Sequence, residues 1–289
     1  NLILNGSMQI SQRGDYTSTP VALTTNTYYI DRYRPYLATM SASLLHTSPT
    51  INGISKRAMK ITATNTASGE VAIQHIVEQL NVSIGQTYTL SVKAKSNSAN
   101  VRLRVFTGVD WVTSNTHTGG GGWETLTLTY TNSHTNNSQV QVFTNSQVIG
   151  DYFEFTELQM EAGSVATDFE HQSYGEILSL CQRYCYVASN QAGTPFVGGA
   201  ASSGTAAYLT YTLPVTPRGV PSLSFSGTLI ISDQYLTDHA AVAPTVITTP
   251  TGSHVNGRVR LGGFAGLITG RFYGGAPNLS GTTTFDMEL

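Results

Sequence analysis

Along most of this chain apolar and polar residues alternate one for one, the period of β-strands with one buried face. Met59, Ile61 and Ala63 share one side of the run Arg57–Ala63, and Tyr88, Leu90, Val92 and Ala94 share one side of Thr87–Lys95. Val101, Leu103 and Val105 interleave with Arg102 and Arg104, and Leu126, Leu128 and Tyr130 interleave with threonines. Val140, Val142, Phe153 and Phe155 continue the theme. Stretches rich in Asn, Ser, Thr and Gly separate these runs at 65–69, 96–100, 118–122 and 132–138, where turns are favoured. Many short strands punctuated in this way predict a jelly-roll β-sandwich over residues 1–171.

The pattern changes once. Ser173 followed by Glu176 is a capping box, and Ile177, Cys181, Tyr184, Cys185 and Ala188 then recur at helical spacing. A connecting helix of about four turns is expected within 172–188, since 3.6 residues make a turn. Leu178, Leu180 and Val187 make it apolar on more than one side. Either the chain's own sheets or a three-fold axis would bury such a helix, so Ile177, Leu180, Cys181 and Tyr184 are candidate oligomerisation residues. Strands resume at Tyr208–Leu213, Leu223–Ile231, Arg258–Leu261 and Leu267–Tyr273, broken by glycine pairs and prolines. The expected fold is therefore all-β: an N-terminal jelly roll, a short helix, and a C-terminal β-sandwich over 189–289, assembled as a homotrimer.

Charged residues make up 11% of the chain, well below the roughly 25% of an ordinary soluble domain. In the last hundred residues the only carboxylates are Asp233, Asp238, Asp286 and Glu288, a sparseness that suits an obligate oligomer with much of its surface covered. A net charge of −2 argues against a nucleic-acid partner, and no apolar run is long enough for membrane insertion. Cys181 and Cys185, four apart on the expected helix, read as small buried hydrophobes.

Catalytic patterns are missing. The chain has no G-x-S-x-G elbow and no H-E-x-x-H, and its histidines and cysteines lack zinc spacing. Glu154 and Glu157 lie close in sequence, but their odd spacing sends them to opposite faces of a regular strand. Asp233 and Asp238 are the one C-terminal carboxylate pair whose spacing would let them converge. No catalytic residue and no enzymatic activity are expected. Binding candidates are aromatic, because sugar C–H faces stack on rings while hydroxyls take hydrogen bonds. Trp111, next to Asp110 in a loop, is one; Tyr235 and His239, within the polar segment Ser232–Ala241, are the others. Trp123, at a strand start, is expected in the core.

Three stretches resemble phage tail-fibre and minor virion structural proteins. The opening Asn1-Leu2-Ile3-Leu4-Asn5-Gly6-Ser7-Met8, continuing to Gln12-Arg13-Gly14, is similar to the start of many such proteins, as is the following Tyr28-Tyr29-Ile30-Asp31-Arg32-Tyr33. Gln159-Met160-Glu161-Ala162-Gly163, Thr167-Asp168-Phe169-Glu170, Ser173-Tyr174-Gly175-Glu176 and Leu180-Cys181-Gln182-Arg183-Tyr184 resemble their hinge, with Cys185 where a second aromatic is more usual. The N-terminal module is similar to carbohydrate-binding jelly rolls. The resemblance covers residues 1–187 and implies a trimeric virion protein that contacts other virion proteins and recognises a host-surface glycan, mainly through its C-terminal part. It also implies one structural calcium, for which Asn5, Asp151 and Glu157 carry suitable oxygens. A purely structural capsid decoration or baseplate piece, and a polysaccharide-degrading tailspike, stand as alternatives.

Overall fold

A computed structural model of the chain describes residues 1–78, 81–189, 195–233, 237–242, 244–251, 255–275 and 280–288. The all-β expectation holds. The strands run in chain order as β1 (Val21–Ala22), β2 (Tyr33–Ala38), β3 (Ala42–Thr47), β4 (Thr50–Ile51), β5 (Ile54–Ser55), β6 (Ala58–Ala63) and β7 (Ala67–Val77). They continue as β8 (Thr87–Ser96), β9 (Arg102–Phe106), β10 (Trp111–Thr113), β11 (Trp123–Thr131), β12 (Ser138–Gln147) and β13 (Tyr152–Ala162). Helix α1 (Tyr174–Gln182) follows. Then come β14 (Cys185–Ser189), β15 (Phe196–Ser203), β16 (Ala206–Thr212), β17 (Ser222–Asp233), β18 (Asp238–Val242), β19 (Thr245–Thr251), β20 (Asn256–Gly262), β21 (Phe272–Gly275) and β22 (Ser280–Asp286). The chain forms two compact units, Asn1–Ile177 and Leu178–Leu289.

The N-terminal unit stacks a six-stranded sheet, β1-β3-β6-β13-β8-β11, against a five-stranded sheet, β10-β9-β12-β7-β2. Their facing apolar residues, among them Ile61, Leu90, Val92, Leu103, Val140, Val142, Phe153 and Phe155, make one core. The alternation that predicted the strands is thus the inward face of each sheet. The opening motif is structural. The Asn5 side chain accepts from Ile10 N–H (3.0 Å) and donates to the carbonyls of Ile10 (2.9 Å) and Asp31 (3.1 Å), while Asp31 accepts from Gln12 N–H (2.9 Å). Gly6 packs so tightly on the Leu158 carbonyl that a β-carbon would collide with it. Gln159 and Glu161 similarly accept from the backbone of Glu170 (2.9 Å) and Thr167 (2.7 Å), tying the returning segment to β13.

That knot carries a pH dependence. His75 is fully buried beside Arg32, its ring edge-on to Tyr33 at 5.3 Å, and burial followed by the Arg32 charge holds its pKa well below the ordinary value of 6.5. The unfolded chain binds that proton below about pH 6.5 and the folded chain does not, so this part of the stability is intact above pH 6.5 and is lost as pH falls. His46 acts in the same sense, again through burial, whereas burial raises the Asp31 pKa and so acts oppositely, from the ordinary carboxylate range upward. The difference between wild type and His75→Phe isolates the histidine. The melting temperature of wild type should drop more than that of the variant between pH 7.5 and 5, and parallel curves would refute the assignment.

The helix is shorter than the spacing predicted. The capping box forms, with Ser173 N–H on Glu176 Oε2 (2.9 Å) and Glu176 N–H on Ser173 Oγ (3.4 Å), but α1 stops at Gln182. Residues Cys185–Ser189 instead pair antiparallel with β22, from Cys185 opposite Asp286 to Ser189 opposite Thr282. Non-local sheet pairing overrides the local helical stripe. Ile177, Cys181 and Tyr184, expected at an interface between chains, are already buried within this one, while Leu180 is half-buried. Cys181 and Cys185 form no disulfide and are buried, as expected of small hydrophobes.

In the C-terminal unit one continuous sheet, β14-β22-β17-β21-β15-β16-β20-β19 with β18 pairing β17 beyond the end of β22, wraps around a single core. Phe196, Leu209, Tyr211, Leu229, Ile231, Val259, Leu261, Tyr273 and Phe285 fill it. The expected sandwich is therefore one sheet folded back on itself. Among the described residues no helix is long and apolar enough to cross a membrane.

Candidate functional site

The side of the five-stranded sheet that faces away from the core is unusually rich in polar and aromatic groups. Strand register sets these residues in rows. Arg34, Gln74, Gln141, Arg104 and Thr113 lie side by side across β2, β7, β12, β9 and β10; Tyr36, Ala72, Phe143 and Arg102 form the next row. A third runs Ile76, Gln139, Phe106, Trp111. Neighbours within a row are bonded where chemistry allows: Arg104 Nε donates to Gln141 Oε1 (2.7 Å), and Gln141 Nε2 donates to Gln74 Oε1 (3.4 Å).

Arg104 organises the face. Its guanidinium carbon lies 4.1 Å from the Trp111 ring centroid and 3.9 Å from that of Phe143, so the cation is flanked by two aromatic rings. Its two terminal nitrogens grip both oxygens of Glu70, at 2.9 and 2.8 Å, in the bidentate geometry that only arginine offers. Gln74, Gln141, Arg104 and Phe143 are consequently buried although they point outward. Two aromatic residues rise from this locked floor: Trp111, 38% exposed on β10, and Tyr36, 40% exposed on β2. Their strands are the two edges of the sheet, four spacings of ~4.8 Å or roughly 19 Å apart, and their rows are offset by four residues, roughly 13 Å, along the strands, so about 23 Å separates them. The result is an open, pre-ordered platform with an aromatic group at each end and amide, guanidinium and carboxylate groups between.

No family model matches the chain, and no curated protein matches it. Solved structures do. A family 4 carbohydrate-binding module is 17% identical, with a TM-score of 0.34, over 56% of this chain and 99% of the module. The module TmCBM61 in complex with β-1,4-galactotriose is 12% identical, with a TM-score of 0.36, over 56% of this chain and 99% of the module. The enzymatically active domain of bacteriophage CBA120 tailspike protein 4 is 8% identical, with a TM-score of 0.36, over 54% of this chain and 22% of that one.

Of the residues singled out by sequence, Trp111 falls on the platform, on short strand β10 rather than in a loop. Tyr235 lies outside the described residues. His239 is half-buried, its ring edge-on to Tyr273 at 5.3 Å and its Nδ1 2.8 Å from the Ala265 carbonyl, so it braces a loop. Trp123 is half-buried and stands outside the core, because it shares the outward phase of Thr125 and Thr127. The platform's other members, Tyr36, Glu70, Gln74, Arg104 and Gln141, carried one sequence signal: Arg102 and Arg104 alternate with core residues, placing charge on the outer face of a strand.

The carboxylate pairs do not behave as their spacing implied. A β-bulge between Thr156 and Gln159, with Glu157 at φ 54°, shifts the inward phase from Phe153 and Phe155 to Leu158 and Met160. Glu154 and Glu157 therefore both face away from the core, not to opposite faces. Glu154 accepts from Thr47, and Glu157 pairs with Lys56, with Lys93 at 3.9 Å and His171 at 3.8 Å nearby, beside a cleft of about 620 Å³. Asp233 accepts from Arg271 (2.9 Å) and Thr237 N–H (3.0 Å), and Asp238 accepts from Ser232, so both carboxylates serve structural bonds at the ends of β17 and β18. The residues considered for calcium make hydrogen bonds and ion pairs within the unit. Asn5 serves Ile10, Asp151 accepts from Val148 N–H (3.1 Å), and Glu157 sits among cations. Among the described residues no group of three or more His, Cys, Asp or Glu could hold a metal ion.

Proposed function

We propose that this chain is a non-catalytic glycan-binding protein of a phage particle, of tail-fibre type, and that its N-terminal unit binds saccharide across the outer face of the five-stranded sheet. The observation that carries the binding assignment is the pairing of exposed Trp111 and Tyr36 across a floor of Arg104, Gln141 and Gln74 that is already hydrogen-bonded. Rings stack on the C–H faces of sugars, the flanking polar groups meet hydroxyls, and a floor ordered before the ligand arrives lowers the entropic cost of binding. The span of about 23 Å suits an extended oligosaccharide lying diagonally across the strands rather than a single sugar. Placement on a virion, partner virion proteins and three-fold assembly rest on the resemblance of residues 1–187 to tail-fibre proteins.

Glycan-array screening of the full chain, followed by titration of the best ligand, tests this reading. Trp111→Ala and Tyr36→Ala should each weaken binding about tenfold or more, the ~1.4–2 kcal/mol of a central aromatic contact. Both side chains are more than a third exposed, so the variants should remain folded. Unchanged affinity in both would move the site elsewhere.

A further inference from the structure

Four neighbouring strands of the C-terminal unit, β15, β16, β20 and β19, contain two arginines and no carboxylate. Both arginines, Arg258 and Arg260, are on β20, two residues apart, so they leave the sheet on the same side, opposite the core residues Val259 and Leu261. Arg260 stands in register with Tyr208 on β16, and Arg258 with Thr210. The Tyr208 ring lies against both guanidinium groups, 4.8 Å from that of Arg258 and 5.9 Å from that of Arg260. Arg260 also spends one of its five N–H donors on Ser202 Oγ, at 2.8 Å. Beside them Val197, Thr210, Thr212, Asn256 and Arg258 line an open cleft of about 410 Å³.

We propose that this face is a second binding site, distinct from the Trp111 platform, and that it takes the anionic group (a carboxylate or a sulfate) of an acidic saccharide. Two guanidinium groups on one side of one strand, stacked on the same ring, place two positive charges on strands that carry no acidic residue of their own. The planar forks match the paired oxygens of a carboxylate or sulfate. Thr210, Thr212 and Asn256 supply neutral hydrogen-bonding groups for sugar hydroxyls, and the exposed Val197 side chain offers an apolar contact for a ring face. A neutral sugar would leave the two positive charges unused, and a shallow cleft with so many hydroxyls offers little to an acidic peptide's apolar side chains.

Calorimetric titration of the full chain separates the outcomes. The test ligands are an oligogalacturonate, a sulfated galactan oligosaccharide, a neutral galactan oligosaccharide and a single-stranded oligonucleotide. At least one acidic saccharide should bind more tightly than the neutral one and lose affinity as salt is raised; which of the two does so identifies the oxyanion. Arg258→Gln combined with Arg260→Gln should cut that affinity at least about tenfold, and Arg258→Lys with Arg260→Lys should restore only part of it, since charge returns without the fork. Trp111→Ala should leave acidic binding unchanged, which separates failure here from failure of the platform. An unchanged melting temperature in the glutamine variant is expected, because Arg258 is exposed and Arg260 half-exposed. The proposal is overturned if neither acidic saccharide binds, if the glutamine pair binds as wild type does, if Trp111→Ala abolishes acidic binding, or if the oligonucleotide binds as tightly as the saccharides.

Discussion

Arg104→Ala should abolish saccharide binding by the N-terminal unit and lower that unit's melting temperature by about 6–12 °C. The thermal figure follows from a loss of ~3 kcal/mol at roughly 2–4 °C per kcal/mol for a unit of this size. Three losses make up that sum. Gln141 Oε1, which is buried, loses its donor, and an orphaned buried acceptor costs about 1–3 kcal/mol. Both ring faces that flank the guanidinium lose their cation, at about 0.5–1 kcal/mol each where partly exposed. Glu70 adds little, because its side chain is about a third exposed (32%) and is taken up by water. Binding fails for a separate reason: Trp111 keeps its contact with Phe106, at 5.2 Å, but loses the guanidinium that lies against its ring face. Arg104→Lys keeps the charge and loses the fork, so it should retain more stability than binding. Calorimetry with glycan titration measures both. A variant that melts like wild type would show that the cation between the rings contributes nothing to the fold.

The contrast between Arg104 and its neighbours shows what was legible in the sequence. Local alternation revealed the strands, and the interleaving of Arg102 and Arg104 with Leu103 and Val105 revealed that two charges share the outer face of one strand. It could not reveal that Glu70, Gln74 and Gln141 meet Arg104, since register between β7, β12 and β9 joins residues more than thirty positions apart. Tyr36 was hidden by Pro35, which weakens a strand reading. The structure tolerates that proline because β2 lies at the edge of its sheet, where a missing N–H leaves no ladder bond unmade. Two other readings failed because each extended a local period past the point where tertiary structure resets it. The bulge at Thr156–Gln159 turns Glu157 to the outer side, and pairing with β22 ends the helix at Gln182. In both cases the deciding interaction lies in a distant part of the chain.

Gly281→Val should unfold the C-terminal unit while the N-terminal unit keeps its own transition and its saccharide binding. Gly281 pairs directly with Gly227 where β22 crosses β17, and both have positive φ, 134° and 81°. Only glycine adopts such a backbone without strain, and a β-carbon at Gly281 would land on the Ser226 carbonyl oxygen. Neither strand can yield cheaply. β22 is held on one side by β17 and on the other by β14, and its Phe285 sits at the centre of the core, 5.1 Å from the Tyr211 ring and 6.1 Å from that of Phe196. Relieving the clash means parting β17 from β22 and exposing that cluster, a cost of about 3–5 kcal/mol by analogy with losing one buried aromatic side chain. That is a large fraction of the 5–15 kcal/mol that holds a typical domain together. Because the two units have separate cores, calorimetry should show the loss or sharp weakening of one transition. The acidic-saccharide affinity assigned to Arg258 and Arg260 should vanish with it, while that of Trp111 and Tyr36 persists. Loss of both transitions together would mean instead that the N-terminal sandwich depends on its neighbour for stability, and that the two binding faces cannot be separated by disabling one unit.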